Sequence, residues 1–266
     1  MEVKPAAANG TVPAVQRAAA ALRHLKSEAD PRGRTVTAVA TALGIHKSSC
    51  SNLLWSLEAE GLVEFSPETR TFQLGVELIS LGSSAAKDRH FVRAAAAPMQ
   101  ALAQATGMTC VAFEQIASDE FVIVSKVESP REIKVTIDVG QHFHPATPAL
   151  ARLVAASSDP ERAEAYVERW RDRAFTPHTM RGKAEVARQI ALAREQGYAV
   201  SIGEYYAGNT AVAALVTSGR DAIFRGLCLV TFREELAAED IPRIGQALRR
   251  ATEEISARLG GAPTQR

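Results

Sequence analysis

The sequence predicts an α/β chain of the α+β kind: an N-terminal winged helix-turn-helix, then a larger domain with helices around a largely antiparallel sheet. Three observations carry this. From Thr35 to Gly75 two short amphipathic helical patterns are followed by two alternating runs separated by a turn. After Gly107, β-branched runs come in two blocks on either side of helical segments. The 266 residues hold a reader of about 65 residues and a second domain of about 170, each large enough for its own core.

The first element of the motif rests on spacing. Val36, Val39, Ala40 and Leu43 recur at i, i+3, i+4, i+7, one face of a helix. Thr35 suits an N-cap and Gly44 a left-handed C′ residue. The next helix is expected from about His46 to Glu60, with Cys50, Leu53, Leu54 and Leu57 as its buried stripe and Gly61 ending it. Its opposite face carries Ser48, Ser51, Asn52 and Trp55. Lys47, Ser48 and Ser49 fall in the first turn, where free backbone N–H groups meet phosphate. Asn52 is one turn in, and a carboxamide pairs bidentately with adenine. Val63 and Phe65 alternate outward, Pro67 to Arg70 turn, and Phe72 and Leu74 alternate back, a hairpin presenting Arg70 at its tip. A recognition helix followed by a wing is the layout that reads double-stranded DNA in the major groove. A small helical module with a solvated polar face would share the helices but not the wing.

Charge agrees locally. The chain is +1 overall, yet Arg17, Arg23, Lys26, Arg32, Arg34 and Lys47 face only Glu28 and Asp30 between residues 13 and 57. A basic patch on a neutral protein suits an oligomer reading two half-sites, a pseudo-palindromic or repeated operator. The tail, residues 1–11, is Ala/Asn/Gly-rich and expected to be disordered. Three cysteines without C-x-x-C spacing suit a reducing, cytoplasmic setting, and Cys50 and Cys110 read as small core residues. The sequence contains neither a run of apolar residues long enough to span a membrane nor a signal-peptide pattern, so no membrane partner is expected.

The reader is assigned residues 12–75. Residues 76–92 read as a helical linker whose Val76, Ile79 and Leu81 face a partner, and residues 93–260 as the second domain. There, 92–106 is alanine-rich and helical. Strands are expected at 109–116, 121–127, 133–139, 198–204, 210–217 and 222–231, with helices at 148–156, 159–170, 183–196 and 238–259.

Several of these segments resemble the IclR family of bacterial transcriptional regulators. V-Q-R-A (Val15–Ala18) is similar to the family's opening helix, L-G-I-H-K-S-S-C-S-N-L-L (Leu43–Leu54) to its recognition segment, and S-P-E-T-R-T-F-Q-L-G (Ser66–Gly75) to its wing. V-E-S-P (Val127–Pro130), V-G (Val139, Gly140), A-T-P-A-L-A-R (Ala146–Arg152) and R-E-Q-G-Y-A-V (Arg194–Val200) resemble its effector-binding domain. The resemblance implies a curved, GAF-like sheet around a small-molecule pocket, and a homodimer or homotetramer. It implies DNA contacts from Arg17, Thr35, Lys47, Ser48, Ser49, Ser51, Asn52, Trp55 and Arg70. It implies an effector site at Met108, Gly140, His142, Ala146, Thr147, Ser201, Asn209, Thr210, Ala211, Cys228 and Val230. The departures point to a different operator and ligand. His46 replaces a frequent proline, and Ser51-Asn52 a frequent His-Arg that would read guanine. Trp55 replaces a small residue, either to press on DNA or to pack internally. Ser201, Ala211, Cys228 and Val230 replace an acid, a cysteine and two serines, a less polar wall that suits a larger ligand such as an aromatic acid.

The expected function is a ligand-responsive DNA-binding regulator with no cofactor. The sequence lacks nucleotide-loop, serine-hydrolase and zinc-protease motifs. His142 and His144 form an H-x-H that would need a third ligand to hold zinc and otherwise reads as polar surface. The competing classes are an enzyme using Cys228 or His142, and an architectural DNA-binding protein without a ligand.

Overall fold

The computed structural model describes residues 12–87, 89–116, 119–170, 172–217 and 223–260; the tail, residues 1–11, lies outside them. Contacts divide the chain into two units, Met1–Asp88 and Arg89–Arg266.

The first unit contains α1 (Pro13–Ser27), α2 (Val36–Leu43), α3 (Lys47–Ala59), the hairpin β1 (Val63–Ser66) and β2 (Thr71–Leu74), and α4 (Glu77–Lys87). Thr35 caps α2, its Oγ1 accepting from the Ala38 N–H at 3.3 Å. Gly44 ends α2 at φ 64°, and the N–H groups of Gly44 and Ile45 close back on the carbonyls of Thr41 and Ala40. That double closure needs a left-handed residue and turns the chain sharply into α3. Ala21, Leu25, Val39, Ala40, Cys50, Leu54, Leu57, Val63 and Phe72 form one core, so three helices and the wing share a single apolar centre. Val76, just before α4, and Ile79 and Leu81 within it are exposed.

The second unit is a curved six-stranded sheet in the order β5-β4-β3-β8-β7-β6, antiparallel throughout. Its strands are β3 (Thr109–Gln115), β4 (Phe121–Val127), β5 (His142–Phe143), β6 (Ala199–Ile202), β7 (Asn209–Val216) and β8 (Arg225–Phe232). One face packs on α5 (His90–Thr106) and α9 (Ile241–Arg258), through Met99, Leu102, Cys110, Val212, Leu229 and Leu248. The other packs on α6 (Pro148–Ser157), with α7 (Pro160–Trp170) and α8 (Lys183–Gln196) outside it, through Val111, Phe113, Ile123, Leu150, Leu153, Ala213 and Val230. Gly245 lets α9 lie against the Tyr198 ring, since a Cβ there would sit 2.3 Å from it.

Three expectations are corrected. Residues 133–139 form no strand; the turn after them takes the backbone of β4 instead, Gly140 N–H donating to the Ile123 carbonyl and Ile123 N–H to Gln141. The pairing falls to the two-residue β5. Phe91, assigned to the linker, belongs to α5 and is buried in the second unit's core. The last strand starts at Arg225 rather than residue 222, which lies outside the described residues.

Candidate nucleic-acid interface and effector cavity

The exposed face of α3 is built by its buried one. Because Cys50, Leu54 and Leu57 hold the helix to the core, Lys47, Ser48, Ser49, Asn52 and Trp55 point to solvent, with Ser51 half-buried at the edge. His46 makes no side-chain cap, so the first-turn N–H groups of α3 remain available at that surface. An open groove brings Arg17 of α1 beside Lys47 and Ser49, with Thr37, Thr41 and His46 completing its walls. Thr37 and Thr41 were not singled out from sequence, although their place at the helix-turn-helix corner follows from the motif. Arg70 stands exposed at the tip of the wing at φ 56°. Thr35 acts through its cap on α2.

The basic patch is smaller than the sequence count. Arg32 forks onto Asp30, with Nη2 to Oδ2 at 2.8 Å, and Arg34 donates to the Glu28 carbonyl. Trp55 does pack internally: its ring lies 5.0 Å from Phe65 and 5.4 Å from Phe72, and the two phenyl rings are 5.0 Å apart. It is still 44 % exposed, so one side chain joins helix and wing and also presents surface to the outside.

In the second unit a cavity opens between the sheet and the first turn of α6, with an empty volume of about 600 Å³ including its mouth. Thr147, Ser201, Asn209, Ala211, Cys228 and Val230 line it together. Val111, Phe113, Ile123, Ile137, Phe143, Ala149, Leu150, Tyr205 and Tyr206 complete the wall and were not assigned from sequence. The roof is aromatic: Phe143 lies 5.4 Å from Tyr205, which lies 4.6 Å from Phe175.

Five expected effector residues stand elsewhere. Met108 belongs to the core on the α5/α9 face. Thr210 neighbours Ala211 in β7 and therefore points away from the cavity, with its hydroxyl buried. Ala146 lines a separate space between α6, α7 and α8. Gly140 sits in the turn before β5, at φ 83°. His142 is exposed and bonded to Glu120 at 3.0 Å, and His144 Nδ1 accepts from the Ala146 N–H. No cluster of three metal-type ligands occurs among the described residues. Burial pushes the Cys228 thiol up to about 12, so the nucleophile of the enzyme reading is a protonated thiol at neutral pH.

Behind the cavity α6 is anchored to the loop after β6 by a buried ion pair. Arg152 Nη1 and Nη2 donate to Glu204 Oε1 and Oε2 at 2.8 and 2.5 Å, and Nη1 also donates to the Val200 carbonyl. Glu204 Oε2 accepts from the Met180 N–H, and its carbonyl accepts from Thr179 Oγ1.

A winged helix-turn-helix joined to a cavity-bearing α+β domain is the make-up of a DNA-binding transcriptional regulator. Residues 14–67 match the IclR helix-turn-helix domain, and residues 83–257 match the domain described as bacterial transcriptional regulator IclR C-terminal. The glycerol operon regulatory protein of Streptomyces griseus is 31% identical over 79% of this chain and 80% of its own. An IclR transcriptional regulator from Alicyclobacillus acidocaldarius superposes with TM-score 0.84 at 31% identity, covering 94% of this chain and all of that one (100%). An IclR homologue from Microbacterium hydrocarbonoxydans, solved with 4-hydroxybenzoate, shares the fold at TM-score 0.73 and 17% identity, covering 93% of this chain and 99% of that one. The chain belongs to the IclR family of bacterial transcriptional regulators. Among the described residues, no helix is long and apolar enough to cross a membrane.

Proposed function

We propose that this regulator is ligand-responsive, a small aromatic effector in the second-unit cavity altering how paired readers hold a specific operator. The observation that carries the reading is the cavity itself, apolar over most of its wall, with Thr147, Ser201 and Asn209 as polar anchors. An aromatic acid is within this class, and the Microbacterium relative was solved with one. The reader works as a homodimer or homotetramer in the cytoplasm, because a single module offers too little interface for tight specific binding. The exposed Val76, just before α4, and Ile79 and Leu81 within it supply apolar surface for that pairing. The operator is then a pseudo-palindrome or repeated half-site, and DNA-free light scattering should give a dimer or larger.

In the reader, Asn52 is assigned to base reading and Lys47 to phosphate. Asn52→Ala should cost about 1–3 kcal/mol on the operator and almost nothing on random DNA. Lys47→Ala should weaken both alike and reduce the slope of log affinity against log salt by about one. Filter or anisotropy titrations at several salt concentrations separate the two; equal losses for Asn52→Ala on both DNAs would remove its reading role.

For the effector, a panel of small aromatic compounds screened by thermal shift should raise the melting temperature and change operator affinity. A ligand that binds only the folded form stabilises it by about 2.7 kcal/mol at a hundredfold excess over Kd. By linkage, operator DNA must change ligand affinity by the same factor. Asn209→Leu should abolish the shift while sparing operator binding by the ligand-free protein. Turnover of a bound compound would revive the enzyme reading, and a panel without any response would favour a ligand-independent architectural role.

A further inference from the structure

Among the described residues that line the effector cavity, none carries a formal charge. Its polar groups are two hydroxyls, a carboxamide and two phenols, at Thr147, Ser201, Asn209, Tyr205 and Tyr206. Burial pushes the Tyr205 phenol up, with Tyr206 beside it adding to the shift. The buried guanidinium on α6, Arg152, is engaged by both carboxylate oxygens of Glu204 and by the Val200 carbonyl, and it borders the space beside Ala146 rather than this cavity. One feature favours negative charge: no side chain caps α6, and its first turn lines the cavity at Ala149 and Leu150. A helix end, however, offers about half an elementary charge. A carboxylate moved out of water between Phe113, Ile123, Phe143 and Leu150 carries a whole one and needs a full counter-charge to compensate its lost hydration. The same N–H groups serve a neutral oxygen without that cost.

We infer that the cavity admits its aromatic ligand as an uncharged species, a phenol, aromatic alcohol or carboxamide, and discriminates against the same ring bearing a carboxylate. The ligand oxygen accepts from the α6 turn, and its own hydroxyl or amide donates to Ser201 or Asn209. This rests on the effector reading above and narrows it, placing an aromatic acid in the cavity only in its protonated form.

Benzamide and benzoate test it, because they match in size and shape and differ in charge. Titration calorimetry on the full chain at neutral pH should show benzamide binding about 30-fold tighter or more, as expected for an unpaired charge against a hydrogen-bonded neutral group. Benzoate should tighten about tenfold for each unit the pH is lowered, as its neutral form becomes more abundant. Ala211→Phe, which fills the cavity, should remove benzamide binding. Benzoate binding at least as tight as benzamide, and lost in Ala211→Phe, would overturn the charge preference and leave the effector site standing. Binding that survives a folded Ala211→Phe, or no binding of either probe at millimolar concentration, would overturn the effector site and the preference with it. Ser201→Lys places a cation in the wall without adding a ring, and should reverse the preference toward benzoate; an unchanged preference would count against the inference even if Ala211→Phe fails to fold.

Discussion

Glu204→Ala should destabilise the second unit by about 3–5 kcal/mol, the cost of leaving a buried charge without its partner. Arg152 and Glu204 are 5% and 2% exposed, so water cannot replace the lost carboxylate. Arg152 would retain only its bond to the Val200 carbonyl. Glu204 also holds the segment around Met180 through its carboxylate, so the change releases more than one contact. The pair itself is not expected to add much stability, because its attraction is largely offset by desolvation of two ions. Arg152→Met combined with Glu204→Leu should therefore recover most of the loss, leaving the double variant close to the parent in urea unfolding. If the double variant were as unstable as Glu204→Ala, the loss would come from the geometry of the loop after β6 rather than from an orphaned charge. The functional consequence is local. That loop carries Tyr205 and Tyr206, and α6 carries Ala149 and Leu150, all in the cavity wall. Glu204→Ala should accordingly weaken ligand binding even where the protein remains folded, with Asn52-dependent operator recognition unaffected.

The reader was legible because its elements are short, amphipathic and punctuated. Val39, Ala40, Cys50, Leu54 and Leu57 keep the helical spacing and are all buried, and Thr35 and Gly44 supply the cap and left-handed stop that their residue types suggest. The cavity was legible only in part, for a reason built into the sheet. Every residue of β3 is buried because helices cover both faces, so no polar alternation marks which side chains turn toward the cavity. Met108 could thus be assigned to the wall while Val111 and Phe113, which form it, were not. Thr210 follows the same rule: between Asn209 and Ala211 the pleat alone decides its direction. The residues at 133–139 show the limit of propensity. Ile133, Val135, Ile137 and Val139 favour an extended chain, but a strand needs a ladder, and the turn at Gly140 occupies the backbone of Ile123 first.

Phe72→Ala should abolish operator binding by unfolding the reader while the second unit keeps its melting transition. Phe72 is fully buried (0% exposed) and belongs to the core shared by α1, α2, α3 and the wing. Removing a buried phenyl ring costs about 3–5 kcal/mol, comparable to the whole stability expected of a domain of about 65 residues. The loss is compounded because Phe65 and Trp55 pack on the same ring, so the wing loses its hold on the recognition helix as well as its own core contact. Trp55→Ala removes a partly exposed ring and should cost less stability, yet it frees the wing from α3 and should weaken operator and random DNA together. Asn52→Ala lies on the same helix, exposed and outside the core, and should alter specificity at unchanged melting temperature. Calorimetry of the three variants beside operator titrations distinguishes the roles: Phe72→Ala loses one of two transitions, Trp55→Ala shifts it, and Asn52→Ala leaves both in place. A single cooperative transition lost entirely in Phe72→Ala would show that the two units do not fold independently, and the separation of reader from effector domain would then have to be abandoned.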